Sequence, residues 1–273
     1  MEEELADWAD RLEEVASSLQ GFDSRKVRVF GACGSTQDPA RDLGVGSIVA
    51  AGRQTSGRGR LGRKWLSDPG EGIAISLGLP MASPDQACVA AAIASMRAVR
   101  GALAGHGISR AVQERVALKF PNDLVDRATG RKLGGILVEV SDGVAIVGIG
   151  INVHAREWPA AIPAISIEEL IGSPPPARIA IMERLPVTLE RTWSEGAMDL
   201  DRAFAAAHAP TGGGVEIGIG EDEDAPDVLR GVLIRLSPRR HLVVGIDDQE
   251  VEIPVDRARI LSWIPEDLRS SGT

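Results

Sequence analysis

Nine consecutive residues, Gly57-Arg58-Gly59-Arg60-Leu61-Gly62-Arg63-Lys64-Trp65, set three glycines among four cations. Glycine lets backbone approach a ligand closely, and the guanidinium fork fits carboxylates and phosphates. The segment predicts a loop that closes over an anion. Gly57 and Gly62 have the spacing of a phosphate-binding G-x-x-x-x-G-K-[ST] loop, but Arg63-Lys64 follows, which argues against that site. A solvated basic turn is the bland alternative; the tandem regularity and the aromatic that follows at once favour ligand binding. Downstream, Lys119 closes the apolar run Val116-Ala117-Leu118 and precedes Pro121, so it is expected to stand rigidly at a strand end. Its bland role is an edge-strand lysine. Upstream, Ser35 and Thr36 lie in a small polar turn, where they serve either a ligand or a helix N-cap. The histidines are scattered and Cys33 and Cys88 lack ligand spacing, so no metal site is predicted.

These residues need elements to hold them. Leu5, Trp8, Leu12, Val15 and Leu19 repeat at helical spacing over residues 2–20, with Gly21 as the stop. Strands are expected at 27–30, 47–51, 72–79, 116–120, 133–140 and 144–153, the last two joined through the hairpin signal Ser141-Asp142-Gly143. A short helix starts near Asp38-Pro39, and an alanine-rich buried helix spans 85–104. Residues 154–176 read as a proline-rich connection. Residues 177–208 read as a helix interrupted near Pro186. After Gly212-Gly213-Gly214, five short strands suggest a small β-barrel. The fold class is α+β: a mixed, mostly antiparallel sheet with helices on one side, plus the small C-terminal barrel. The expected boundaries are 1–210 for the large unit and 211–273 for the small one.

Length and composition bound the reading. The chain has 273 residues, a formal net charge of -9, 44% hydrophobic and 25% charged residues, which is ordinary for a globular enzyme. No bilayer-spanning run or signal peptide is expected, and a reduced, cytoplasmic setting is the simplest account. The acidic balance argues against a sequence-independent grip on DNA, so the basic loop must serve a small local anion. The run Glu221–Asp224 reads as a solvated loop.

Laid out together, these motifs resemble the biotin protein ligase family. Gly57 to Trp65 is similar to its glycine-arginine signature, and Lys119-Phe120-Pro121-Asn122-Asp123-Leu124 to its lysine-aromatic-Pro-Asn-Asp segment. Arg131–Glu139 and Gly148–Val153 resemble the two strands that follow, and Ser35-Thr36 the turn that closes on biotin. Two positions depart from the family pattern: Gln37 stands where Asn is usual, and Phe120 where Trp is usual. The resemblance implies a class II synthetase-like catalytic domain and an SH3-like C-terminal barrel. It also implies the ligase-only type, without an N-terminal DNA-binding domain.

The implied activity has two steps, biotin and ATP giving biotinyl-5′-AMP, and transfer of biotin to a lysine of a biotin carboxyl carrier domain. By resemblance, Lys119, Arg58 and Arg60 are catalytic. Biotin contacts fall on Ser35, Thr36, Gln37, Gln54, Gly57, Arg58, Gly59, Arg60 and Lys119. ATP contacts fall on Arg60, Arg63, Trp65, Asn122, Lys132 and Asn152. Trp65 either packs beside adenine or anchors the loop exit, and Asn152 either touches nucleotide or holds a turn. Mg²⁺ accompanies ATP, held largely by phosphates and water, with Asp123 as one candidate contact. The free loop is expected to lack one shape and to order on binding. The carrier domain of acetyl-CoA carboxylase or a related carboxylase is the implied partner, with no DNA or membrane partner and with a homodimer as one assembly open to the family. A lipoate or octanoate ligase is the nearest competing reading.

Overall fold

The computed structural model describes residues 2–65, 69–81, 83–159, 162–220 and 227–264. The expected Glu221–Asp224 loop and part of the turn at 67–70 lie outside them. Helix α1 (Glu2–Ser18) turns Trp8, Leu12 and Ala16 into the core. A seven-stranded sheet follows, built from β1 (Val27–Phe30), β2 (Ile48–Ala51), β3 (Gly72–Pro80), β4 (Val116–Lys119), β5 (Asp123–Asp126), β6 (Lys132–Ser141) and β7 (Val144–Asn152). Its order is β1-β2-β3-β7-β6-β5-β4. Only β1 and β2 pair in parallel; the remaining neighbours are antiparallel. The β6–β7 hairpin turns on Asp142 and Gly143, both at positive φ, the geometry of a tight two-residue hairpin.

Alternation along the strands makes two different faces. Ile73, Ile75, Leu77 and Leu79 of β3 and Val147, Ile149 and Ile151 of β7 join one large apolar cluster with α3 (Pro84–Gly105). Residues of α5 (Ile167–Ile171), α6 (Arg178–Met182), α7 (Arg184–Trp193) and α8 (Ala197–Ala207) complete that layer. The other face carries small residues, Ser76, Gly148 and Gly150, and one short helix, α2 (Gln37–Leu43). There Ala40 packs on Val49 and Ile146.

Several expectations need correction. Helix α3 does have the length and hydropathy to cross a bilayer, but 72% of that window is buried in the protein, because its alanines pack against the sheet. The segment at 154–176 contains α5, started by a capping box in which Ser166 and Glu169 satisfy each other's backbone N–H. Helix α4 (Arg110–Arg115) and strand β5 were not foreseen. The 177–208 helix breaks at Glu183 and at Ser194–Gly196, while Pro186 sits in the first turn of α7, where its missing N–H costs nothing.

The C-terminal strands β8 (Gly214–Ile219), β9 (Asp227–Ser237), β10 (His241–Ile246), β11 (Gln249–Pro254) and β12 (Ala258–Ile264) form one antiparallel sheet, β11-β10-β9-β8-β12. The expected barrel is therefore an antiparallel sheet whose end strands, β11 and β12, do not pair with each other among the described residues. Val215, Ile217, Leu233 and Leu242 of this sheet belong to the same apolar cluster as the helical layer.

Candidate active site

The face without the helical layer is hollowed into a cavity of about 700 Å³. Its floor depends on missing side chains. A Cβ on Gly150 would lie 2.5 Å from the Trp65 indole, and one on Gly148 would collide with the Gln37 amide. At the near end, Thr36 is anchored by Gln54 and Ser76. Its N–H donates to Gln54 Oε1 at 2.8 Å, and its hydroxyl meets Gln54 Oε1 at 3.2 Å and Ser76 Oγ at 2.7 Å. It occupies the N-cap position of α2 but makes no side-chain cap bond there. Ser35 Oγ accepts from the Gln37 N–H at 3.4 Å. Gln37 lines the cavity: it donates from Nε2 to Leu137 O at 3.2 Å, and its Oε1 is buried with no hydrogen-bond partner among the described residues.

The glycine-arginine loop folds over this floor. Arg58 and Lys64 form an isolated antiparallel bridge. The Gly59 N–H donates to Arg63 O at 2.8 Å and the Trp65 N–H to Gly57 O at 2.9 Å. A single helical turn spans Arg60–Gly62. Internal bonds and the Trp65 indole against Gly150 hold this arrangement together. Gly57 lies outside the cavity lining; a Cβ there would stand 2.7 Å from Trp65 O, so its role in the structure is to let the loop close on itself. Arg58 lines the cavity, yet its guanidinium is bidentate to Asp38 at 2.9 and 2.8 Å.

Lys119 ends β4 opposite Asp123 of β5, and its side chain makes no hydrogen bond or ion pair among the described residues. Burial pushes its ammonium below the usual lysine range; Asp123 opposes this, and Lys132 and Arg63 add to it. Asp123 is ion-paired to Lys132. Asn122 donates to Ile136 O at 2.7 Å and receives Arg60 at 3.5 Å. Gly59, Arg60, Arg63, Trp65, Asn122 and Lys132 all line the cavity. Asn152 does not: its amide bridges Lys132 O and Ile165 O, both at 3.2 Å, which is the turn-holding alternative.

One wall carries none of the residues singled out from the sequence, although the small C-terminal unit could be expected either to cap the ATP site or to dock the carrier domain. Val255 and Asp256 of the β11–β12 turn and Ala258, Arg259 and Ile260 of β12 close the cavity. Nothing local in β12 marks it as a site wall. Among the described residues, seven cations line the cavity (Arg58, Arg60, Arg63, Lys64, Lys119, Lys132 and Arg259) against the carboxylates Asp123 and Asp256. In a chain of net charge -9, this concentrates positive potential at one place.

A family model described as the Biotin/lipoate A/B protein ligase family matches residues 34–155, the span that supplies the loop, Lys119 and both glycine-bearing strands. The Biotin--[acetyl-CoA-carboxylase] ligase of Mycobacterium tuberculosis is 30% identical over 191 residues, covering 68% of this chain and 70% of that protein. The chain belongs to the biotin protein ligase family. The Bifunctional ligase/repressor BirA of Bacillus spizizenii is 38% identical over 136 residues, which span 45% of this ligase-family chain and 38% of that longer protein. Among solved structures, the biotin protein ligase from Aquifex aeolicus in complex with biotin and ATP superposes with a TM-score of 0.68 at 26% identity, covering 88% of this chain and 99% of that one.

Proposed function

We propose that this protein is a biotin–[biotin carboxyl-carrier protein] ligase. The observation that carries the reading is the cationic cavity over a glycine floor, with Lys119 ammonium unpaired inside it. In the first step, a biotin carboxylate oxygen attacks the α-phosphorus of ATP; a P–O bond forms, the α–β bridging P–O bond breaks, and pyrophosphate leaves. No side-chain nucleophile is required, since the carboxylate is the nucleophile. The protein must bring two anions together and stabilise charge on the α-phosphate. Lys119 and Arg60 are assigned to that task, with Arg63 and Lys132 on the nucleotide. Ser35, Thr36 and Gln54 are assigned to biotin, the first two to its ureido ring. In the second step, a carrier lysine amine attacks the acyl carbon, the C–N bond forms, AMP leaves and the amine loses a proton.

Mg²⁺ neutralises phosphate charge when bound with ATP. Asp123 lines the cavity and would be the ion's one carboxylate contact, at the expense of the Lys132 ion pair; holding the β4–β5 turn is its alternative role. The C-terminal sheet is assigned to the nucleotide end of the cavity. The partner is the carrier domain of acetyl-CoA carboxylase or a related carboxylase. Pyrophosphate exchange into ATP, run with biotin and with lipoate or octanoate, tests the reading and separates it from its nearest rival.

A further inference from the structure

We propose that Asp38 is a positioning residue: it braces the glycine-arginine loop over the cavity through Arg58, and so governs how long an activated acyl-adenylate is retained. The inference rests on the ligase reading above. Asp38 belongs to the first turn of α2 and follows directly on Ser35-Thr36-Gln37, three buried residues of the cavity wall. Its two carboxylate oxygens take both Arg58 nitrogens, at 2.9 and 2.8 Å. Arg41 of α2 reaches the same carboxylate at 3.2 Å and also pairs with Glu139 of β6, which stands 3.5 Å from Arg58. Two guanidiniums and two carboxylates thus tie together the loop, α2 and β6.

Asp38's side chain is 52% exposed, and a lone exposed ion pair contributes little. Bidentate geometry and a shared network are the conditions under which such a pair does count. The contact also redefines Arg58. A guanidinium whose two terminal nitrogens take Asp38, one of them also reaching Glu139 at 3.5 Å, is a strut of the loop, which leaves Arg60, Arg63 and Lys119 to meet the anions. The same helix start that presents Thr36 to the cavity grips the loop, so filling the ring pocket and closing the loop share one support. A closed loop keeps water from a mixed anhydride and keeps the anhydride from escaping.

The test compares the wild type with Asp38→Asn, Asp38→Glu and the double variant Asp38→Asn/Glu139→Gln. Each is measured for thermal midpoint, for kcat and biotin KM in pyrophosphate exchange, and for the rate at which preformed biotinyl-AMP is lost. Asp38→Asn is expected to raise biotin KM and adenylate loss about three- to tenfold, the range of a bidentate charged contact near the surface, with kcat held within about twofold. The double variant is expected to go further, and Asp38→Glu to recover most of the loss. A folded Asp38→Asn protein with unchanged KM and unchanged retention would overturn the proposal. So would tighter biotin binding, which would make the contact a lock that holds the loop off its ligand. A wild type that forms no adenylate with biotin would instead refute the ligase reading itself.

Discussion

Lys119 takes its character from where β4 ends. Burial disfavours its charge, and Lys132 and Arg63 repel it, with Asp123 only partly compensating. An incoming carboxylate or phosphate relieves that cost, so the energy spent on holding the ammonium in the free protein returns on binding. Lys119→Ala is expected to lower adenylation by about two to three orders of magnitude, as for loss of one charge-stabilising donor. Its thermal midpoint should be unchanged or higher, since an unfavourably buried charge is removed; calorimetry beside the exchange assay separates the two effects. Lys119 was legible from Val-Ala-Leu-Lys-Phe-Pro, because a strand end fixes its place locally. The fate of Arg58 was not. Its partners Asp38 and Glu139 lie 20 and 81 residues away, and chain pairing, not local pattern, brings them together.

Strand alternation builds the site at the next scale. Because β3 and β7 send alternate residues to opposite faces, the large aliphatic set that anchors α3 leaves Ser76, Gly148 and Gly150 on the cavity side. Gly150→Ala would put a Cβ into the Trp65 indole and is expected to displace the loop exit, weakening biotin binding by at least about tenfold, in line with the cost of overpacking a tight contact. Tryptophan fluorescence and a biotin titration check this, and unaltered binding would remove Trp65 from the floor. The long strands, the β6–β7 hairpin and α3 were legible because their periodicity runs over many residues. Helix α5 was hidden inside a proline-rich stretch despite its Ser166-x-x-Glu169 capping box, and β5 is too short to show a period.

At the scale of the whole molecule, the cavity is completed only when the C-terminal sheet closes it, an arrangement that no segment of the sequence announces. His208 stands at the junction between α8 and that sheet. It is buried, stacked on Phe204 at 6.0 Å, bonded through Nδ1 to Thr211 at 3.0 Å, and bridged to Leu118 of β4. Burial, with Arg127 and Lys119 adding to it, lowers its pKa from 6.5 to about 3. The unfolded chain therefore binds a proton that the folded one refuses between those values. The His208 contribution to stability is full above pH 6.5 and is lost as pH falls towards 3. His208→Gln is expected to flatten the upper part of that decline in a series of thermal midpoints against pH. An unchanged slope would mean that the carboxylates alone set it.

The most direct measurement is exchange of labelled pyrophosphate into ATP by the purified protein, with biotin, lipoate, octanoate or no acid. The cavity described here predicts exchange that requires biotin and that Lys119→Ala abolishes almost entirely. Exchange supported by lipoate or octanoate in place of biotin, or none with biotin from a folded sample, would contradict it.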